Sequence, residues 1–154
     1  MNDQTNFITL INKKAIDSCV NTRLFPSLMI AQVILESNWG KSLLSKLHHN
    51  YFGIKANPIW TGEKVTYTTT EYVKGKPVKI PQNFRAYPSI DAGFADRVNF
   101  LHVNKRYTTS GVFKAKSPEQ QAEAFLKAGY ATDPNYPGKL TALISKYKLK
   151  QYDE

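Results

Sequence analysis

The stretch Pro26-Ser27-Leu28-Met29-Ile30-Ala31-Gln32-Val33-Ile34-Leu35-Glu36-Ser37-Asn38-Trp39-Gly40 decides how this chain is read. From Leu28 to Leu35 the residues are apolar on nearly every side of a helix, interrupted only by Gln32. A helix apolar all round lies in the middle of a domain. Pro26 suits its first turn, where the missing N–H costs nothing. Gly40 is the expected stop. Glu36 therefore stands near the C-terminal end of a buried helix. Burial disfavours the carboxylate, and the negative end of the helix dipole acts in the same direction. Both keep Glu36 protonated, as a general acid must be. On spacing alone the plainer reading is a glutamate that has reached solvent at a helix end.

Around this helix the periodicity is mostly helical. Phe7 to Val20 reads as an amphipathic helix with Ile8, Ile11, Ala15 and Cys19 in one stripe, capped by Asp3 or Thr5. Lys41 to His49 is a short helix. Ser89 caps another, with Ile90, Phe94, Val98 and Leu101 on one face. Ser117-Pro118-Glu119-Gln120 is a helix start running to about Ala128, with Gly129 as the stop. Tyr130 to Pro137 is a loop, and Leu140, Leu143, Ile144 and Tyr147 mark a last helix.

Residues 57–87 change character. Val65, Tyr67, Thr69 and Glu71 alternate with Thr66, Thr68, Thr70 and Tyr72, which is strand periodicity. Lys74-Gly75-Lys76 is a turn, Val78 and Ile80 begin the return strand, and Pro81 puts that strand at an edge. The expected class is α+β, mostly α, with a small β-hairpin lobe inserted in a helical domain. At 154 residues one domain, 1–154, accounts for the whole chain.

Composition narrows the function. The net charge is +9, from 21 Lys and Arg against 12 Asp and Glu. That balance steers anionic partners: nucleic acid, an acidic membrane surface or a bacterial wall. The basic residues are scattered from Lys13 to Lys150, which argues against a dedicated nucleic-acid arm. Nine tyrosines and eight phenylalanines serve a core first and a sugar-binding groove second. The single cysteine, Cys19, cannot form an intrachain disulfide, and its apolar helical setting makes it a core residue rather than a nucleophile. No stretch reaches the ~18 apolar residues of a membrane span. Met1 to Asn6 lacks the basic start and apolar run of a signal peptide, so export by another route or a longer parent protein is expected. His48, His49 and His102 have no metal-ligand spacing with cysteines or carboxylates, and there is no glycine-rich phosphate loop. Neither a metal nor a cofactor is expected.

Pro26 to Ser42 resembles the catalytic-helix motif of glycoside hydrolase family 73, the bacterial and phage wall-lytic glucosaminidases. Asn50-Tyr51-Phe52-Gly53-Ile54-Lys55 resembles its companion motif, with Tyr51 where the family commonly has Leu. The resemblance continues at Thr69-Thr70-Glu71-Tyr72, at Phe84-Arg85-Ala86-Tyr87-Pro88-Ser89, and at Gly129-Tyr130-Ala131-Thr132-Asp133-Pro134-Asn135-Tyr136. It implies a lysozyme-like, mostly α domain with the hairpin lobe beside a substrate groove. The implied reaction is hydrolysis of the β-1,4 bond after N-acetylglucosamine in peptidoglycan glycan strands, at the bacterial cell wall; the chain is expected to act as a monomer.

By that resemblance Glu36 matches the general acid, Glu71 the proposed second carboxylate and Tyr130 the tyrosine close to the acid. A glycosidase also needs something to meet the oxocarbenium-like centre: a base, a nucleophilic carboxylate or the substrate's own acetamido group. Glu71 is otherwise an exposed strand charge, and Tyr130 a loop anchor. Trp39 packs under the catalytic helix or lines the groove, with packing favoured. Asn50 and Phe52 shape the groove floor, and Gly53 permits close approach of backbone to sugar. Asp133 and Tyr136 line the groove or only cap the last helix. The competing functions are a lysozyme-like muramidase or lytic transglycosylase, and a non-catalytic wall-binding module. The Gly-Leu-Met-Gln block usual after the Glu-Ser pair of the transglycosylases is absent here.

Overall fold

The computed structural model describes residues 2–154. Its centre is helix α2 (Pro26–Ser37), whose residues Leu28 to Ile34 are all at most 2% exposed. Helix α1 (Asp3–Cys19) lays Ile8, Ile11, Ala15 and Cys19 on it. Neither Asp3 nor Thr5 caps α1. The Asn2 side chain does, accepting from Thr5 N–H at 2.8 Å, so the helix begins earlier than the periodicity implied. Cys19 is buried, and burial pushes its thiol up to about 12, the value of an inert core group.

The start of α2 is held from far along the chain. Phe25, its N-cap, supplies no side-chain bond. Instead Asp153, in the C-terminal 3-10 turn Leu149–Asp153, accepts from Ser27 N–H and Ser27 Oγ at 2.7 Å each. A carboxylate is well placed there, among orphan N–H groups at the positive helix end. The other end of α2 comes at Ser37 rather than Gly40. Asn38, Trp39 and Gly40 are successively left-handed, at φ 50°, 59° and 73°. Gly40 is required for a steric reason as well: a Cβ there would lie 2.5 Å from the Phe7 ring.

Helix α3 (Leu43–His48) follows, capped by Ser42. Strands β1 (Lys64–Val73) and β2 (Lys76–Arg85) then form one antiparallel hairpin, paired from Lys64↔Arg85 to Val73↔Lys76. The turn is the two residues Lys74 and Gly75, both left-handed, as the twist of a tight hairpin demands. The hairpin is the whole sheet, so both strands are edges and Pro81 breaks no ladder it was needed for.

The base of the hairpin is bolted to the helical body. Arg85 donates to Asp96 at 2.9 Å and to the Lys55 carbonyl at 3.2 Å, and its guanidinium lies 4.4 Å above the Trp60 ring. The Tyr87 hydroxyl donates to the same Asp96 carboxylate. Asp96 belongs to helix α4 (Ile90–Val103), capped by Ser89. Helix α5 (Lys105–Ser110) and a 3-10 turn at Val112–Lys114 come next, both absent from the periodicity reading. Helix α6 (Pro118–Lys127) starts at the Ser117 cap, and Gly129 follows in the left-handed region. Helix α7 (Tyr136–Lys146) takes Tyr136 and Pro137 into its first turn, which shortens the expected loop. The architecture is mostly helical with one small sheet, and no described helix is long and apolar enough to cross a membrane.

Candidate active site

Four parts of the chain wall a groove of about 430 Å³. The last turn of α2 contributes Glu36. The loop after α3 contributes Phe52, Gly53 and Lys55. The α4–α5 junction and the loop after α6 contribute Asn104, Arg106, Tyr107 and Tyr130. All of these come from one copy of the chain.

Glu36 is exposed to solvent at the groove mouth, as the plainer sequence reading has it, and the protein behind it removes part of the water from its carboxyl. That desolvation raises its carboxyl above the ordinary carboxylate range, and the positive charge of Arg97 opposes the rise. The net effect is upward, as a group that must carry a proton near neutral pH requires.

Tyr130 shares the groove with Glu36. Its ring is held by Phe125 at 5.1 Å, Tyr107 at 5.9 Å and Tyr136 at 6.1 Å between centroids. Its hydroxyl lies 3.5 Å from Arg97 Nη2. Burial pushes the phenol above its usual value, Arg97 pulls it down, and Glu36 adds a smaller upward push. Tyr130 is therefore a neutral hydroxyl beside the acid.

Glu71 stands outside the groove wall. It projects from the half-buried face of β1, with Val65, Tyr67 and Thr69. Its carboxylate accepts from Gln82 Nε2 at 3.3 Å and Thr69 Oγ1 at 3.4 Å, and Lys55 Nζ lies 3.8 Å away. Lys55 also lines the Glu36 groove, so it links the two carboxylate neighbourhoods.

The remaining candidates divide by position. Phe52 is buried and forms part of the groove wall, with the Arg97 guanidinium 4.5 Å from its ring centroid. Gly53, at φ 70°, opens on empty space where a side chain would be, so backbone is exposed to the groove. Asn50 does not face the groove. It is buried, donates to the Ile54 and Arg85 carbonyls at 3.0 and 2.9 Å, and accepts from Ile54 N–H at 3.1 Å. It shapes the loop carrying Phe52 and Gly53 and ties it to β2. Trp39 packs edge-on against Phe7 and Tyr147, with centroids 6.1 and 5.0 Å away. Asp133 turns the chain into α7: it accepts from Asn135 N–H at 2.9 Å and pairs with Lys139 at 2.6 Å. The Lys139 hydrogen bond, then the Asn135 one, hold its carboxyl below the ordinary range. Tyr136 is buried behind the groove and accepts from Gln32 Nε2 at 3.1 Å.

Arg97, Lys55, Arg106 and Tyr107 escaped the sequence reading. One signal pointed to the first. Gln32 is the lone polar residue in the apolar run and sits one helical turn before Glu36, so it needed a buried polar partner. Arg97 is that partner. Among the described residues no group of three or more His, Cys, Asp or Glu side chains is arranged to hold a metal ion.

Comparison with known proteins agrees with this geometry. The Glucosaminidase family model, described as mannosyl-glycoprotein endo-beta-N-acetylglucosaminidase, matches residues 12–149. The chain is 39% identical over 157 residues to a probable N-acetylmuramidase of Lactococcus lactis subsp. lactis, covering 99% of this chain and 35% of that protein. It is 42% identical over 125 residues to the peptidoglycan hydrolase FlgJ of Escherichia coli, covering 79% of this chain and 39% of that protein. Its structure is similar to the catalytic domain of the autolysin Auto from Listeria monocytogenes, with a TM-score of 0.86 and 38% identity over 99% of this chain and 89% of that one. The chain spans about a third of the length of the curated relatives it matches. A buried helix that delivers one glutamate to a groove, a hairpin beside it and a family match over nearly the whole length lead to one conclusion: the chain belongs to the Glucosaminidase family, glycoside hydrolase family 73.

Proposed function

We propose that this chain hydrolyses the β-1,4 bond after N-acetylglucosamine in peptidoglycan, acting at the bacterial cell wall as one monomeric domain. The observation that carries the reading is Glu36: the carboxyl that ends an apolar helix and opens, partly desolvated, into a groove beside Tyr130. Glu36 gives its proton to the glycosidic oxygen as the bond to the anomeric carbon breaks. The electron pair leaves with that oxygen, and Glu36 becomes a carboxylate. The oxocarbenium-like centre is met by water activated at Glu71, or by the substrate's own acetamido oxygen. Glu71 suits the first route because Lys55, which lines the Glu36 groove, lies 3.8 Å from its carboxylate. Tyr130 presents a neutral hydroxyl for the acetamido group or a water. Phe52 and Gly53 offer an apolar surface and open backbone for the sugar ring.

A second reading, cleavage after N-acetylmuramic acid, is favoured by one observation: a relative sharing 39% identity over 99% of the chain is named a probable N-acetylmuramidase. Mass spectrometry of muropeptides released from purified sacculi separates the two. Reducing-end N-acetylglucosamine is the expected product. Reducing or anhydro-muramic acid would replace the first reading with muramidase or transglycosylase chemistry, and binding without release of sugars would reduce the chain to a wall-binding module.

A further inference from the structure

Arg97 is the largest fully buried side chain among the described residues, at 1% exposure. A buried charge is costly unless an opposite charge and hydrogen bonds compensate it. Among the described residues no carboxylate pairs with Arg97. Its Nη2 donates to Gln32 Oε1 and reaches Tyr130 OH, while Nε has no partner. Its guanidinium carbon lies 4.5, 5.3 and 5.4 Å from the ring centroids of Phe52, Phe125 and Tyr130. Every one of these neighbours is neutral, and a guanidinium does not give up its proton in a protein. The core behind the groove therefore keeps a full positive charge with no anion seated on it.

Two features aim that charge at the site. Gln32, which receives its strongest bond, precedes Glu36 by one turn on the same helix, so both sit on one face of α2. Phe52 and Tyr130, which flank it, are themselves groove walls. The groups facing Glu36 are Arg97 from α4, Arg106 and Tyr107 from α5, Tyr130 after α6, Tyr136 from α7, and Lys55 after α3 with Glu71 paired to it from β1. Of the cations, Lys55 is paired and Arg106 is exposed to screening water. Arg97 alone is dry, and a charge acts furthest in low dielectric.

We propose that Arg97 is the fixed counter-charge of Glu36, a positioning residue that stabilises the carboxylate formed when the proton passes to the glycosidic oxygen. The anion it lacks in the resting state is made by the reaction itself. Partial desolvation favours the proton on Glu36, and Arg97 keeps the acid strong enough to release it. The inference rests on the reading of Glu36 as general acid.

The test uses Arg97→Gln and Gln32→Glu, with Glu36→Gln in parallel. Gln32→Glu is nearly isosteric and seats a permanent anion on Arg97, so it neutralises the charge without emptying the core. Two readouts are taken: the pH dependence of kcat on a soluble muropeptide, and the carbon-13 shift of the Glu36 carboxyl against pH. The acid must be protonated, so activity falls as pH rises through its pKa. Removing a nearby positive charge moves that alkaline limb, and the carboxyl titration, up by about one pH unit. This shift is expected in Arg97→Gln and Gln32→Glu, with the maximal kcat below the alkaline limb lowered about threefold and KM within about twofold. If Arg97→Gln does not fold, Gln32→Glu carries the comparison. An alkaline limb and carboxyl titration unmoved in Gln32→Glu would overturn the proposal. Wild-type lysis by Glu36→Gln would instead sink the general-acid reading. A dead Glu36→Gln beside an unmoved limb would sink the counter-charge alone.

Discussion

Lys55 stands between the two carboxylates: its side chain lines the groove that holds Glu36, and its Nζ lies 3.8 Å from the carboxylate of Glu71. The hairpin that carries Glu71 is therefore tied to the groove by the companion motif that also supplies Phe52 and Gly53.

This link predicts non-additive kinetics. Glu71→Gln lowers kcat by roughly 100-fold if Glu71 activates water. Lys55→Met, which frees the carboxylate, lowers kcat by about tenfold. The double variant is no slower than Glu71→Gln alone, because residues acting through one contact do not add. Steady-state kinetics on a soluble muropeptide measure all three. A loss below about threefold in Glu71→Gln would assign the role to the acetamido group.

Glu36→Gln abolishes wall lysis, a loss of at least about a thousandfold in turbidity clearance. It also changes stability with a definite sign. The folded-state pKa of Glu36 is raised, so the folded protein holds its proton to higher pH than the unfolded chain. Wild-type stability is therefore complete below the ordinary carboxylate pKa and declines as pH rises through the raised one. The glutamine variant does not titrate. Its melting temperature gains on wild type as pH rises from 4 to 8, and the two converge at the acid end.

Arg85 and Asp96 are 9% and 16% exposed, and breaking a buried pair leaves a charge without compensation. Asp96→Ala is expected to cost about 3 kcal/mol, and to lower the melting temperature by roughly 6–12 °C. Because Asp96 also receives Tyr87 OH, the hairpin base loosens. Amide exchange across Lys64–Arg85 should accelerate before the rest of the domain.

Asp153 is remote from the groove lining and acts on α2 through Ser27. Asp153→Ala removes the two bonds at the helix start and costs about 1–2 kcal/mol in urea unfolding. The kcat of the folded protein stays unchanged. A fall in kcat would mean that the helix start is coupled to Glu36 at its other end.

Much of the fold is local. The Ile8, Ile11, Ala15 and Cys19 stripe and the Ser89 and Ser117 caps are settled by residues within a few positions of one another. So is the hairpin closed at Lys74-Gly75, because 3.6- and 2-residue periods and turn chemistry act at short range. Helix α5 carries only six residues, too few for a periodic pattern to declare itself. The Asn38-Trp39-Gly40 run stops α2 three residues before the glycine, since asparagine also tolerates the left-handed region and Ser37 Oγ binds Gly40 N–H.

The site divides the same way. By itself the sequence singled out Glu36, from a carboxylate ending an apolar run, and named Phe52, Gly53 and Tyr130 through family motifs. Only the tertiary structure decided that Asn50 and Trp39 serve packing and loop shape, that Asp133 turns the chain into α7, and that Lys55 reaches Glu71. Only it placed Arg97 behind Gln32 and Tyr130, 65 and 33 residues away along the chain. The reason is range. Helix and turn preferences are written in neighbouring residues, whereas the cost of a buried charge, and the field it exerts on an acid, depend on which distant side chains the fold brings around it.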